Sequence, residues 1–330
     1  MNQRKSLLLG ALLLAALVQP ALAVDKIALV VKSLGNGFFD AAHQGAQEAA
    51  KELKDVEIIY TGPAKATAEG QIEIINTLIA QDVKAIVISA NDPDALVPVL
   101  KKAMARGIKV VSFDSAVRKD GRLMHLAPSS TALIGQKLVT MAEDAGGKNA
   151  EIAVLSATAQ ATNQNAWIAA MKTVLAQPAH SGVKLVSVVY GDDQTDKSYR
   201  EAQGLFKSHP NLKVIVAPTT VGIAAAAKAV QDEKKVGQIF VTGLGLPSEM
   251  AGHVHSGAVK SFAIWNPIDL GYSSIYAAEA FVKGTAKGAP GEKISLGRVG
   301  SATLDKDNEA AMAEPFNYDA SNVDKFAKFF

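Results

Sequence analysis

The sequence predicts an α/β fold in which two interleaved, doubly wound parallel-sheet lobes are joined by a multi-strand hinge. Three observations predict it. Short runs rich in β-branched residues alternate with segments whose apolar residues recur every three or four positions. The short runs are apolar throughout, the mark of strands covered on both faces, as parallel strands are. The series restarts near the middle of a 330-residue chain, and at ~150 residues per domain that length suggests about two domains.

Taken in order, the first half places strands at 26–32, 56–61, 85–90 and 108–114, with helices at 38–53, 69–81 and 93–106 between them. In the first helix Phe39, Ala42, Ala46, Ala49, Ala50 and Leu53 fall on one face. The third stops at Gly107, a residue suited to the left-handed turn that closes helices. The second half places strands at 152–157, 183–191, 214–218, 238–243 and 260–266, and helices at 164–175, 198–208, 223–232, 247–256 and 270–283. No Gly/Ser-rich or Pro-rich linker separates the halves. Short crossings near 126–129, 256–260 and 293–296 give one lobe of 24–127 plus 259–294 and a second of 128–258 plus 295–330, with a hinge between them.

Residues 1–23 read as a secretory signal. Arg4 and Lys5 precede an apolar run at 6–18, Gln19-Pro20 breaks it, and Ala21-Leu22-Ala23 is a cleavage site. The run is shorter than the roughly 20 residues a spanning helix needs. With no cysteine in the chain there is no lipid anchor, disulfide, thiolate nucleophile, cysteine zinc site or iron–sulfur cluster. The expected location is the bacterial periplasm. Beyond residue 23 the chain carries 32 basic and 32 acidic side chains, so it lacks the basic excess that nucleic-acid binding requires.

Open parallel sheets bind ligands beyond the carboxyl ends of their strands. The residues there are Lys32 with Asn36, Phe38 and Phe39; Asn91 and Asp92; Asp114; Asn163, Gln164 and Trp167; Thr219 and Thr220; Leu244; and Trp265 with Asn266. Amides and hydroxyls offer fixed donors and acceptors to a polyhydroxylated ligand, and flat aromatic rings suit the apolar faces of a sugar. Catalytic signatures are absent: there is no G-x-S-x-G elbow and no Walker-type phosphate loop. Gly243-Leu244-Gly245 lacks the third glycine of a dinucleotide fingerprint. Phe38-Phe39 would crowd a phosphate at Gly35-Asn36-Gly37. His253 and His255 have metal-like spacing, but without a carboxylate partner they are expected on the surface, as is the charge-dense stretch 192–200. No metal or cofactor is expected.

The segments VVKSLGNGFFD (30–40), TAEGQIEIINTLIAQ (67–81), ISANDPDAL (88–96), VSFDS (111–115), ATNQNAW (161–167), VAPTTVG (216–222), TGLGLPSEM (242–250) and AIWNPIDLGY (263–272) together resemble the type I periplasmic binding proteins of ABC sugar transporters. Within the ribose-binding-protein-like group, the chain is most similar to rhamnose-binding proteins and the related autoinducer-2 receptors. The resemblance implies a non-enzymatic, monomeric receptor that closes on a sugar and docks on a membrane ABC permease. It implies Asp114 as an acceptor of two sugar hydroxyls, Lys32 as a charged donor, Asn163 and Gln164 as second-lobe contacts, Pro218 and Thr220 as cleft lining, and Phe38 and Phe39 as a stacking pair. Autoinducer-2 receptors usually carry Asp-Gln at the Asn163-Gln164 position and Ala at Thr220, so the likeness points to a deoxysugar such as L-rhamnose. Autoinducer-2 or another pentose or hexose is the alternative. An exported sugar-processing enzyme using Asp92 and Asp114 as paired acids is the contrasting class.

Overall fold

A computed structural model describes residues 24–330; the expected signal segment lies outside the described residues. The chain begins β1 (Asp25–Val30), α1 (Gly37–Leu53), β2 (Val56–Thr61), α2 (Ala68–Ala80), β3 (Ala85–Ile88), α3 (Val97–Ala105), β4 (Lys109–Phe113) and β5 (Met124–Ala127). It continues α4 (Thr131–Gly146), β6 (Glu151–Ser156), α5 (Thr162–Leu175), β7 (Lys184–Tyr190), α6 (Thr195–Ser208), β8 (Leu212–Ala217), α7 (Thr220–Asp232), β9 (Phe240–Gly243), α8 (Pro247–His255), β10 (Ser261–Ile264) and α9 (Pro267–Val282). It ends β11 (Lys293–Ser295), β12 (Ser301–Thr303), β13 (Glu309–Ala311), β14 (Phe316–Asp319) and α10 (Val323–Phe326).

The first sheet has the order β13-β5-β4-β3-β1-β2, all parallel. Its central strands are apolar through their middles because both faces are covered. Ile27, Leu29, Ala85, Val87, Val111 and Phe113 pack into one core with α1 residues Phe39, Ala42 and Ala46 and α9 residues Leu270 and Ile275. The alternate residues Ala28, Val30, Ile86, Ile88 and Val110 pack into a second core with Ile75, Leu78 and Ile79 of α2 and Val99 and Leu100 of α3. The second sheet has the parallel order β7-β6-β8-β9. Single bridges, Val241 to Val259 and Leu244 to Ala263, carry it on to the β10 segment, which pairs antiparallel with β14.

Two expected lobe boundaries are corrected by this pairing. The crossing expected near 256–260 falls at Trp265 and Asn266, after β10, because β10 lies beside β9 and pairs with β14 in the second lobe. Only α9 returns to the first lobe. The crossing expected near 293–296 falls between β13 and β14, because β13 adds an edge strand to β5 in the first sheet. At the second crossing the hinge divides a strand, β10, from the helix that follows it, α9, and at the third it divides two strands. Between β5 and α4 the chain leaves the first sheet, and α4 packs on α5 and on strands of the second. The third helix starts at Val97 rather than at 93, because Asp92 and the residues after it form a capped turn.

His125, on β5, sits in the hinge-side core at 4% exposure, with its Nδ1 3.0 Å from Ser112 Oγ on the neighbouring strand. Burial pushes its pKa down from 6.5 to about 3, and the nearby Arg122 cation adds to the fall. Between those values the unfolded chain binds a proton that the folded chain refuses. This contribution to stability is therefore complete above about pH 6.5 and is lost on acidification, by at most ~1.4 kcal/mol per pH unit. The melting temperature is expected to fall between pH 6.5 and 4.5 more steeply in the native protein than in His125→Gln. Parallel curves in thermal melts would remove His125 from the account.

Candidate functional site

The carboxyl ends of both sheets face one another across the hinge and border one cavity, at the edge where open parallel sheets bind small molecules. Lys32 follows β1, Asn36 caps α1, and Phe38 and Phe39 form its first turn. Asp114 follows β4; Asn163, Gln164 and Trp167 lie on α5; Pro218, Thr219 and Thr220 follow β8; Leu244 follows β9; Trp265 follows β10. All of these expected residues line the cavity.

Three expected residues, Asn91, Asp92 and Asn266, do not. Asp92 Oδ1 accepts hydrogen bonds from the Asp94 and Ala95 backbone N–H groups, so it shapes the turn before α3. This also dissolves the Asp92–Asp114 acid pair. Asn266 caps α9: its Oδ1 accepts from the N–H groups of Ile268 and Asp269, and its Nδ2 donates to Asp269. Both are short polar residues before a helix, where capping and ligand binding share one sequence signal. Asn91 has a supporting place, donating from Nδ2 to the backbone carbonyls of Lys32 and Thr67 and so fixing the loop that presents Lys32. His253 and His255 point to separate partners, Gln231 and Asp324. No cluster of metal-binding side chains occurs among the described residues.

The polar side of the cavity is a network that crosses between lobes. Lys32 Nζ donates to Asn163 Oδ1 at 3.2 Å, and Asn163 Nδ2 donates to Asp114 Oδ1 at 2.9 Å. Ser89 Oγ donates to Asp114 Oδ2 at 2.7 Å, and Lys32 lies 3.8 Å from that same oxygen. Asp114 adopts φ 56°, in the left-handed region that Asp tolerates at modest cost. Lys32 and Asp114 are 4% and 5% exposed, so each charge relies on the other and on these hydrogen bonds. Gln164 Oε1 is held by Ser156 Oγ and the Ala157 N–H, which fixes the direction of its amide. Thr220 Oγ1 reaches Asn36 Oδ1 at 3.5 Å across the cleft.

The other side is aromatic. Phe38 meets Phe39 and Trp265 edge-to-face, with ring centroids 5.2 and 6.2 Å apart, and Trp167 meets Trp265 at 5.7 Å. Trp265 Nε1 is buried with no hydrogen-bond partner among the described residues, an unusual state for an indole donor.

Two lining residues escape the sequence analysis, Ile264 and Asp193. Asp193 stands in the charge-dense stretch read as solvated surface, yet its carboxylate accepts from Thr219 Oγ1 and faces the cavity. Desolvation pushes its carboxyl up; Lys32 opposes the rise, and Asp114 and Asp192 add to it. A charge run carries no mark of which member turns inward.

The model of the periplasmic binding protein domain matches residues 27–286. The D-ribose/D-allose-binding protein of Pseudomonas aeruginosa is 31% identical over 66% of this chain and 70% of its own. An ABC transporter solute-binding protein from Clostridium phytofermentas, solved with bound L-rhamnose, is 38% identical, with a TM-score of 0.90 over 93% of this chain and 99% of that one. LsrB from Clostridium saccharobutylicum, solved with AI-2, shares the fold at 21% identity and a TM-score of 0.85, covering 91% of this chain and 99% of that one. These relatives are transport proteins rather than enzymes. With that family model spanning both lobes, and a cavity where the two sheets converge, the chain belongs to the periplasmic binding protein family, in its type I group of sugar-binding proteins of ABC transporters.

Proposed function

We propose that this chain is the L-rhamnose receptor of an ABC importer, capturing the sugar between its lobes and presenting the closed form to a membrane permease. The observation that carries the reading is the 38% identity and TM-score of 0.90 to a solute-binding protein holding L-rhamnose. The chemistry of the cavity supports it. L-Rhamnose is neutral, with several hydroxyls and one methyl group. Asp114, Lys32, Asn163 and Gln164 supply charged and amide partners for the hydroxyls, and the wall of Phe38, Trp167 and Trp265 suits the methyl. A sugar phosphate would call for a cluster of cations, and among the lining residues Lys32 is the one permanent cation. On this reading the receptor acts as a monomer, and the leader is cleaved after Ala23. N-terminal sequencing of periplasmic protein tests the cleavage; an intact Met1 would refute it.

The ligand is tested by thermal shift and calorimetry against L-rhamnose, ribose, allose, galactose, fucose and autoinducer-2. Binding raises apparent stability by mass action, ~2.7 kcal/mol at a ligand concentration 100-fold above Kd. L-Rhamnose is expected to give the largest rise and to be recovered unchanged at a 1:1 ratio. A flat response to L-rhamnose with a rise for another sugar would overturn the assignment.

Phe39 is both cavity wall and core, 2% exposed and 6.4 Å from the Phe113 ring. Phe39→Ala is therefore expected to weaken sugar binding by ~1–3 kcal/mol through lost contact area. It is also expected to destabilise the unliganded protein by ~3 kcal/mol through the space left behind. Calorimetry and melts on the same sample read the two losses separately.

A further inference from the structure

We infer that Asp193 is a second carboxylate that grips the sugar, supplied by the second lobe, and that it holds the lobes closed by taking ligand hydroxyls opposite Asp114. The inference rests on the proposal that the cavity binds a sugar.

Asp193 lies on the loop between β7 and α6 and lines the cavity from the second lobe, whereas the first lobe supplies Lys32 and Asp114. Thr219 Oγ1 donates to its Oδ1 at 2.5 Å, which fixes the plane of the carboxylate. Its Oδ2 has no hydrogen-bond partner among the described residues. Asp192 and Asp193 are both left-handed, with φ 55° and 50°. Successive left-handed non-glycine residues are costly. Asp192 is turned outward to Lys197, at 2.6 Å, while Asp193 is turned into the cleft.

Asp193 also borders a polar groove between the lobes that meets the cavity. With the lobes apart, water would satisfy the free oxygen. With the lobes together the Asp193 side chain is half-buried where cavity and groove meet, and a ligand filling the cavity displaces the remaining water and must supply replacement donors. A sugar has hydroxyls to give. A ligand with hydroxyls on both Asp114 and Asp193 ties one lobe to the other, so Asp193 contributes chiefly to how long the closed complex lasts.

The two tryptophans of the chain, Trp167 and Trp265, both line the cavity, so intrinsic fluorescence reports binding directly. Stopped-flow fluorescence and calorimetry with L-rhamnose, and with analogues lacking one hydroxyl at a time, test the inference on the native protein, Asp193→Asn and Asp192→Asn. Asp193→Asn is expected to bind at least tenfold more weakly, with faster dissociation and an association rate within threefold. One deoxy analogue should be weak on the native protein and lose nothing further on Asp193→Asn. Asp192→Asn should stay within twofold of native affinity.

Near-native affinity in Asp193→Asn, an equal loss in Asp192→Asn, or the same loss for every analogue would overturn the inference. If Asp193→Asn fails to fold, a crystal structure of the native complex decides: a sugar oxygen within hydrogen-bond reach of Asp193 upholds it, and none overturns it. Failure of L-rhamnose alone to bind overturns only the ligand assignment. The same measurements are then made with whichever sugar of the panel binds, and binding of none overturns both.

Discussion

Gly271→Leu is expected to destabilise the protein by more than ~4 kcal/mol, or to prevent folding, because α1 and α9 touch backbone to backbone. A Cβ at Gly271 would overlap the carbonyl of Ala42, and a Cβ at Gly45 would overlap the carbonyl of Ile268. Neither obstacle is the free end of a side chain, so neither can swing aside. Gly271→Ala gives a sharper test because two effects oppose. Helix propensity alone favours Ala over Gly by ~1 kcal/mol in a helix interior. Overlap with a backbone carbonyl of a packed helix costs ~1–3 kcal/mol or more, so the net change is a loss.

Gly204, inside α6 with nothing within 4 Å of an added Cβ, is the control. Gly204→Ala is expected to gain up to ~1 kcal/mol. Urea titrations of the three variants read the signs directly, and a stabilised Gly271→Ala would refute the close packing. Binding should suffer with stability at this contact. The residue before α1 is Asn36 and its first turn carries Phe38 and Phe39, while α9 begins two residues after Trp265. Parting the helices therefore moves one edge of the cavity.

Much of the strand pattern is legible in the sequence because several buried strands are short apolar runs with polar flanks, such as 85–88 between Lys84 and Ser89. A missed helix had a signal too. In α4, Ile134, Leu138, Met141, Ala142 and Ala145 recur at spacings of three and four after Ser130. The short strands β11 to β14 carry no comparable signal. They have three or four residues each and are mostly exposed, so backbone pairing to distant strands defines them. That pairing also explains the misplaced crossings, since nothing local in 261–264 reveals that its partner is 316–319.

The candidate site is more legible than the lobe boundaries, because a parallel sheet brings every strand's carboxyl end to one edge whichever lobe the strand belongs to. Trp265 is a case in point: its strand sits in the second lobe, not the first, yet the side chain still reaches the cavity. Asp92 and Asn266 show the limit of the rule. Both follow strands, but the turn before α3 claims the oxygen of Asp92 and the first turn of α9 that of Asn266.

Asp114→Ala is expected to weaken L-rhamnose binding by at least ~2–3 kcal/mol, from two charge-assisted hydrogen bonds lost to the ligand. The competing roles for this acid, helix cap or ion-pair partner of a loop arginine, do not describe its surroundings. Arg118 pairs with Asp94 and Arg122 with Glu309. Asp114 instead meets Ser89, Asn163 and Lys32 at the cavity wall. Removing it leaves the Lys32 ammonium without its counter-charge when the lobes close, a penalty that adds to the lost ligand contacts. The backbone gives the variants a second distinction. At φ 56°, Ala carries a left-handed cost of about 1–2 kcal/mol that Asn largely escapes. Asp114→Ala should thus lower the unliganded melting temperature slightly, and Asp114→Asn hardly at all. In binding, Asn keeps one acceptor and turns the other into a donor, so its loss should fall between native and Ala. Titration calorimetry with L-rhamnose, paired with melts of the unliganded variants, separates the two effects. Full affinity in Asp114→Ala, or a collapsed melting temperature with unchanged affinity in Asp114→Asn, would return Asp114 to the scaffold.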